Sequence, residues 1–302
     1  MYDIVIIGAG PAGLTAATYS LRAGKTVLVI EKSGFGGQVA FSPKIENFPG
    51  IVSVSGSELA ERLVEQPLEL GAETVFGEVT GIHGTPGSFT VTTEDEEYAC
   101  KAIIIASGAK HRRLNVEGED TFAGNGVSYC AVCDGAFFAS QNVAIVGGGN
   151  SALQETVLLS DICESVTIIQ NLPFLTGEAR LQEILNERKN VRIITSVTVD
   201  RLFGGEALEG AVIRHAKTGE TETVSCTGLF VAIGLEPQNA AFADVVALDE
   251  QGYIIAGEDC RTSADGICAA GDCRTTSVRQ ITTAAADGAV ASVAVCRTID
   301  AL

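Results

Sequence analysis

Two cysteines two residues apart, Cys130-Ala131-Val132-Cys133, followed at once by a carboxylate, Asp134, form the segment of the chain best equipped for chemistry. That spacing lets the two sulfurs close and reopen a disulfide, and Asp134 is placed to shuttle the proton that the exchange requires. Half of a zinc site is the competing reading. Zinc takes four ligands, however, no second C-x-x-C occurs, and His83, His111 and His215 are isolated, so a redox pair is expected and no metal. The other seven cysteines, Cys100, Cys163, Cys226, Cys260, Cys268, Cys273 and Cys296, stand singly and are expected as buried, inert thiols, with Cys268 and Cys273 unpaired.

A second chemical signal is Gly8-Ala9-Gly10-Pro11-Ala12-Gly13, which fits G-x-G-x-x-G and opens directly from the β-branched run Ile4-Val5-Ile6-Ile7. Gly8 permits the tight turn, Gly10 lets a pyrophosphate approach the backbone, and Gly13 lets helix and strand pack closely. The helix N-terminus then faces the phosphate charge. Glu31, at the end of the next strand, can accept hydrogen bonds from ribose hydroxyls. The loop alone does not distinguish FAD from NAD.

A second glycine loop, Gly147-Gly148-Gly149-Asn150-Ser151-Ala152, fits G-x-G-x-x-A after Val143-Ala144-Ile145-Val146. The strand beyond it breaks the pattern, reading Ile168-Ile169-Gln170-Asn171-Leu172-Pro173. A 2′-phosphate needs cations for neutralisation and bidentate hydrogen bonding. Between Arg113 and Arg180 there is no lysine or arginine, while Glu155, Asp161, Glu164 and Glu178 add negative charge. NADPH is therefore poorly received, and NADH would want an acid where Gln170 stands. The loop is read as retained for strand–helix packing.

These motifs need strands and helices to position them, and the patterning supplies two βαβ units. One runs from Ile4 through a helix at Leu14 to Leu21 and on to Val27-Leu28-Val29-Ile30; the other runs from Val143 through Ser151 to Leu159 and on to Val166-Thr167-Ile168-Ile169. Ile103-Ile104-Ile105-Ala106-Ser107-Gly108 and Leu229-Phe230-Val231-Ala232-Ile233-Gly234 stand where each unit should close. The expected fold is α/β with two Rossmann-like dinucleotide-binding domains, the second inserted into the first. Residues 1–113 and 241–302 make one domain and 114–240 the insert. Glu94-Asp95-Glu96-Glu97 is expected in a solvated hairpin turn.

Composition narrows the function classes. The chain has 302 residues, 46% of them hydrophobic, with 20 basic and 38 acidic side chains and a net charge of −18. A core is ample, and attraction to nucleic acid or to anionic membrane is disfavoured. Ile4 to Leu21 carries no charge, yet its Gly8, Gly10, Pro11 and Gly13 suit a strand, turn and helix better than a membrane span. Met1-Tyr2-Asp3 lacks the basic region of a secretory signal, and nine cysteines follow no framework spacing, so a reducing cytoplasm and a catalytic disulfide are expected.

The first glycine loop, Phe35-Gly36-Gly37-Gln38, Ile45-Glu46-Asn47-Phe48-Pro49-Gly50, the cysteine motif, and Gly271-Asp272 followed by Arg279-Gln280 together resemble the low-molecular-weight thioredoxin reductase family over nearly the whole chain. The resemblance implies the class II pyridine nucleotide-disulfide oxidoreductase architecture and a homodimer. It implies FAD held by Gly8, Gly10, Pro11, Ala12 and Gly13, by Glu31 and Lys32, and by Gly37, Gln38 and Asn47. Val79, Ala106 and Gly108, and Asp272, Arg279, Gln280 and Ile281, complete that set. By the same resemblance Cys133 faces the flavin, Cys130 attacks the disulfide of thioredoxin or a thioredoxin-like protein, and Asp134 is the acid/base.

NADPH-dependent relatives carry a cluster of arginines at the end of the strand that here reads Ile168 to Pro173. Its loss makes the chain most like the ferredoxin-dependent flavin thioredoxin reductases, so reduced ferredoxin is the expected donor. The alternatives are NADH or NADPH as donor, an oxygen-dependent dithiol oxidase, and a flavin-bound redox sensor. Ferredoxins are acidic, and Lys110-His111-Arg112-Arg113 is the candidate patch that would offset the negative net charge. With no cysteine pair in the first domain, no C-terminal redox tail and no fused thioredoxin-like domain, lipoamide-type and peroxide-linked relatives are disfavoured.

Overall fold

The structure, a computed structural model, describes residues 1–42 and 44–302. The chain opens with β1 (Tyr2–Ile7), α1 (Pro11–Arg22), β2 (Val27–Glu31), α2 (Gly56–Glu69) and β3 (Glu73–Phe76). An antiparallel run follows, β4 (Val79–Thr85), β5 (Ser88–Thr93) and β6 (Glu97–Ile105), then the short β7 (Ala109–His111). Next come α3 (Glu119–Phe122), β8 (Val127–Ser128), α4 (Ala131–Asp134), β9 (Asn142–Val146), α5 (Asn150–Ile162), β10 (Ser165–Gln170), α6 (Ala179–Asn186) and β11 (Val191–Thr195). After β12 (Val197–Gly204), β13 (Leu208–His215), β14 (Thr221–Ser225) and β15 (Gly228–Val231), the chain closes with β16 (Leu235–Pro237), β17 (Ile267–Ala269) and α7 (Ile281–Asp300).

Met1–Lys110 and Glu236–Leu302 make one compact unit. Its sheet runs β3-β2-β1-β6-β5-β4, with β17 also on β6. β1 lies parallel to both β2 and β6, pairing Ile7 with Ile30 on one side and with Ile105 on the other. Side chains alternate across a strand, so Ile4 and Ile6 enter a core with α1 and α7, while Val5 and Ile7 enter one with Leu28, Ile30, Val91 and Ile103. Being covered on both faces explains why β1 and β2 read as unbroken apolar runs rather than alternating ones. α1 and α7 pack through small residues. A Cβ at Gly288 would stand 2.1 Å from the Ala12 carbonyl oxygen, so α7 can approach α1 there only because Gly288 has no side chain.

His111–Leu235 makes the second unit. Its parallel sheet runs β11-β10-β9-β15-β8, and β12-β13-β14 form a separate antiparallel sheet. β9 centres the parallel sheet, with Ala144 and Val146 in one core and Val143 and Ile145 in the other. Three residues expected in the first domain, His111 to Arg113, belong to this unit. The Arg112 N–H donates to Gly234 O at 3.0 Å, the His111 ring lies 5.6 Å from that of Tyr129, and Arg113 pairs with Asp120 at 2.7 Å. Conversely Glu236 to Ala240, expected in the insert, lie with the first unit, where the fully buried Asn239 side chain accepts from Ser107 Oγ and donates to Gly252 O and Cys273 O. Glu94 to Glu97 are all exposed at the β5–β6 turn. No helix among the described residues is long and apolar enough to cross a membrane.

Candidate active site

Cys130 and Cys133 are joined as a disulfide, with their Cα atoms 5.3 Å apart. One turn of helix sets that distance. Cys130 is the extended N-cap of α4, its Sγ accepting the Cys133 N–H at 3.2 Å, and α4 carries Cys133 back beneath it. Asp134 ends the same turn. Its Oδ2 accepts from Ser128 Oγ at 2.6 Å, and Ser128 Oγ in turn accepts the Cys130 N–H at 3.1 Å. Oδ1 is shut off from solvent with no hydrogen-bond partner among the described residues. Burial pushes the Asp134 carboxyl above the usual carboxylate range, against the opposing pull of Ser128. A carboxyl so placed holds its proton nearer to neutral pH, which suits proton transfer to and from a sulfur. Ser128 escaped the sequence reading; its position two residues before the motif was the available signal.

The remaining seven cysteines are buried and unpaired. Burial pushes Cys100, Cys226, Cys260 and Cys268 up to about 12 and Cys273 up to about 11, with Cys163 and Cys296 also raised. Thiols held protonated in this way are poor nucleophiles. No group of three metal-ligating side chains occurs among the described residues.

In the first unit the G-x-G-x-x-G loop forms a bare cradle. Gly8 has φ +103°, and a Cβ on it would stand 2.3 Å from Ala106 O, while one on Gly13 would stand 1.9 Å from Gly8 O. Gly10 differs, because a Cβ there would meet nothing within 4 Å. No side chain caps α1, whose first turn is Pro11, Ala12 and Gly13, so its leading N–H groups are free to meet an anion. The buried Glu31 carboxylate accepts from Ala9 N at 2.7 Å and from Ser33 N at 2.8 Å, which fixes it at the end of β2 beside the loop. Gly36 N donates to Ala9 O, and a Cβ on Gly37 would lie 3.3 Å from the Gly10 Cα.

The other expected flavin residues fall into smaller groups. Gln38 hydrogen-bonds Ala109 O, and Ala106 N donates to Ile7 O at the end of β6. Asn47 Nδ2 donates to Gln280 Oε1 at 3.2 Å, Gln280 caps α7, and Ile281 packs beside Val39, Ile45 and Leu59. Asp272 and Arg279 interact electrostatically. Burial outweighs that attraction and pushes the Asp272 carboxyl up to about 6. Arg279 stacks 4.4 Å from the Tyr253 ring centre, with its Nε buried and without a partner among the described residues. Lys32 stands apart, 3.3 Å from Glu78 in a surface hollow of about 640 Å³, Val79 lies in the core with Ile7 and Ile30, and Gly108 turns with φ +70°.

An unpartnered guanidinium nitrogen, a desolvated carboxyl, an uncapped helix start and open space over Gly10 together fit a phosphorylated, ribose-bearing dinucleotide such as FAD. Gly13→Ala is expected to leave the purified protein without FAD, because α1 must lift off β1 to clear the Gly8 carbonyl. The overpacking cost is at least about 1–3 kcal/mol. The ratio of flavin to protein absorbance measures the outcome.

Asp287, which the sequence reading missed, organises this end of the unit. Its Oδ2 accepts from Gly271 N at 3.0 Å and Arg274 Nε at 2.7 Å, and its Oδ1 from Arg274 Nη2 at 2.7 Å. The turn that carries Asp272 is thereby clamped at both ends. A single charged residue in the stretch from Ala284 to Val295 was the signal.

The second glycine loop is built differently. A Cβ on Gly147, at φ +134°, would lie 2.3 Å from Ala232 O, so that residue secures the strand–helix turn. Gln170, 4% exposed, lies across Gly148, its side chain reaching 2.5 Å from where a Cβ would be. Thr176 and Gly177 both donate their N–H groups to Gly148 O, and Asn150 exchanges hydrogen bonds with Glu178. A cleft of about 650 Å³ opens beside the loop, lined by Arg112, Arg113, Asn171, Leu172 and Thr198 among others.

Of the cleft's two lining arginines, one is engaged by acids. Arg113 is paired with Asp120 at 2.7 Å and lies 3.8 Å from Glu119. Within the run Lys110 to Arg113, burial lowers the pKa of His111 and favours its neutral form.

A family model described as pyridine nucleotide-disulphide oxidoreductase matches residues 2–288. The chain belongs to that family. Within the family it is 40% identical to a thioredoxin reductase of Listeria monocytogenes over 292 residues, 96% of this chain and 92% of that one. It is 38% identical to a thioredoxin reductase of Treponema pallidum over 302 residues, 100% of this chain and 98% of that one. The crystal structure of thioredoxin reductase from Streptococcus pyogenes superposes with a TM-score of 0.96 at 39% identity, covering 100% of this chain and 99% of that one. The low-molecular-weight thioredoxin reductase kinship, the Rossmann-like α/β fold and FAD as cofactor follow for this oxidoreductase.

Proposed function

We propose that this flavin-dependent disulfide oxidoreductase reduces thioredoxin or a thioredoxin-like protein through Cys130–Cys133, as a homodimer, with electrons from reduced ferredoxin. The substrate is supported by the names that the relatives from Listeria monocytogenes and Treponema pallidum carry. FAD accepts an electron pair or two single electrons, and supplies them to the disulfide when bound.

The chain's own groups do the rest. Opening Cys130–Cys133 with two electrons leaves two sulfurs that bind protons, and Asp134, against Cys130 through Ser128, holds and moves one of these. The Cys130 thiolate attacks one sulfur of the substrate disulfide, and the other sulfur leaves and takes a proton. The Cys133 thiolate then attacks Cys130 Sγ, re-forming the intramolecular bond and releasing the second substrate sulfur, which is protonated in turn. Two electrons and two protons have moved from the enzyme to the substrate.

One observation carries the choice of donor: β10 ends in a buried Gln170 laid across Gly148, and no lysine or arginine occurs from residue 114 to 179. A 2′-phosphate would meet no bidentate cation on that strand or on the loop that follows it. Anaerobic reduction of thioredoxin driven by each donor in turn is the test. Reduced ferredoxin is expected to sustain turnover, with NADPH slower by about a hundredfold or more, the loss of two charge-assisted contacts. Comparable turnover with NADPH would overturn the reading. A second reading, NADH as donor, draws support from the cleft and from open space at Gly149, where the nearest atom to a Cβ is Thr176 Oγ1 at 3.8 Å. Turnover with NADH and none with ferredoxin would establish it.

A further inference from the structure

A second carboxyl reaches the redox turn from outside the cysteine motif. Glu155 lies on α5, within the helix that follows the second glycine loop. It accepts a hydrogen bond from the backbone N–H of Ala131, the residue between the N-cap Cys130 and the rest of α4. Its other oxygen, Oε2, is shut off from solvent and has no partner among the described residues.

We propose that Glu155 is a positioning residue of the redox pair: its carboxyl holds α4 through the Ala131 N–H, and its charge sets how readily the reduced Cys130 stands as a thiolate. The inference rests on Cys130–Cys133 as the redox pair and is independent of the donor.

The surroundings isolate this coupling. Against α5 pack α4, which with its N-cap carries Cys130, Cys133 and Asp134; the turn Gly135–Phe138, β9 and β10, which carry no titratable group; and α6, whose Arg180 and Glu183 are exposed. On α5 itself Asp161 is engaged by Arg188. Burial outweighs the Ala131 hydrogen bond and pushes the Glu155 carboxyl up to about 7, with no charged side chain acting on it. A desolvated carboxylate with one oxygen unsatisfied is costly, so the neutral acid dominates below that pH.

Once the S–S bond has taken up two electrons, the pair carries one proton as thiol and thiolate, or two as a dithiol. Below about pH 7 Glu155 is neutral and leaves the thiolate undisturbed. Above it, the carboxylate and the thiolate repel, and the thiol keeps its proton to higher pH. Glu155→Gln keeps an acceptor for the Ala131 N–H and removes only the charge.

The test is anaerobic alkylation of dithiothreitol-reduced, FAD-loaded protein by iodoacetamide between pH 6 and 9, with Cys130 and Cys133 followed by peptide mass. Glu155→Gln is expected to match the parent at pH 6 and to react on the order of three- to tenfold faster at pH 8. Identical profiles across the range, or a ratio that does not change with pH, would overturn the proposal. The parent protein gives a second check, since its own rate should rise with pH less steeply above 7 than a single thiol titration allows; a simple one-step curve also overturns it. No alkylation of either cysteine in the parent would instead bring down the redox-pair assignment itself.

Discussion

Replacing Cys130 or Cys133 by serine abolishes the reduction of protein disulfides while FAD remains bound. Each single change is expected to cost about a thousandfold or more in turnover, and the double change no more than either alone, because the two sulfurs act as one unit. With serine at 130 no thiolate is presented to the substrate; with serine at 133 the mixed disulfide forms and cannot be resolved from within the chain. The remaining cysteines offer no substitute, since all seven are buried with raised pKa values. FAD persists because the glycine cradle, Glu31, Asp272 and Arg279 belong to the first unit, and the disulfide belongs to the second. Turnover with thioredoxin, measured beside the flavin-to-protein absorbance ratio, separates the two effects. Retained turnover in either variant would refute the assignment of the pair.

Asp287→Ala is expected to be the most damaging change away from the disulfide, at about 3–5 kcal/mol. Arg274 and Asp287 are both nearly buried, with side-chain exposures of 11% and 13%. Removing the carboxylate leaves an unpaired guanidinium in a site that water scarcely reaches, and frees Gly271 N as well. The turn bearing Asp272 then loses its clamp, so FAD should be released at lower urea concentration than from the parent. Arg274→Met in the same chain is expected to recover part of the stability, because an apolar pair of similar volume escapes the uncompensated charge. An unchanged urea midpoint for Asp287→Ala would show that the pair contributes no net stability.

The fold class was legible wherever a strand is buried on both faces. Ile4 to Ile7 and Val143 to Val146 leave no room for another assignment, and each glycine loop follows its strand because close strand–helix packing excludes a Cβ at Gly8, Gly13 and Gly147. The cysteine pair was equally plain, as its spacing matches one helical turn. Contacts made across long stretches of sequence were not legible. Asp287 to Arg274, Asn239 to Ser107 and Cys273, and Glu155 to Ala131 each join residues that only the folded chain brings together. In the Lys110 to Arg113 run, the pairing of Arg113 with Asp120 and the burial of His111 were likewise not readable from the sequence. In the sequence Gln170 stands where an acid would hold a ribose diol. Its side chain lying across Gly148 could be seen only in three dimensions.

We propose that this chain carries electrons from a donor other than NADPH, through FAD and Cys130–Cys133, to thioredoxin. The most direct measurement follows the flavin absorbance of the FAD-loaded protein anaerobically, adding NADPH, NADH or reduced ferredoxin to separate samples and then oxidised thioredoxin. Bleaching by ferredoxin alone, reversed when thioredoxin is added, is the expected result. Rapid bleaching by NADPH would contradict the account and show that a cleft without the arginine cluster still receives the nucleotide.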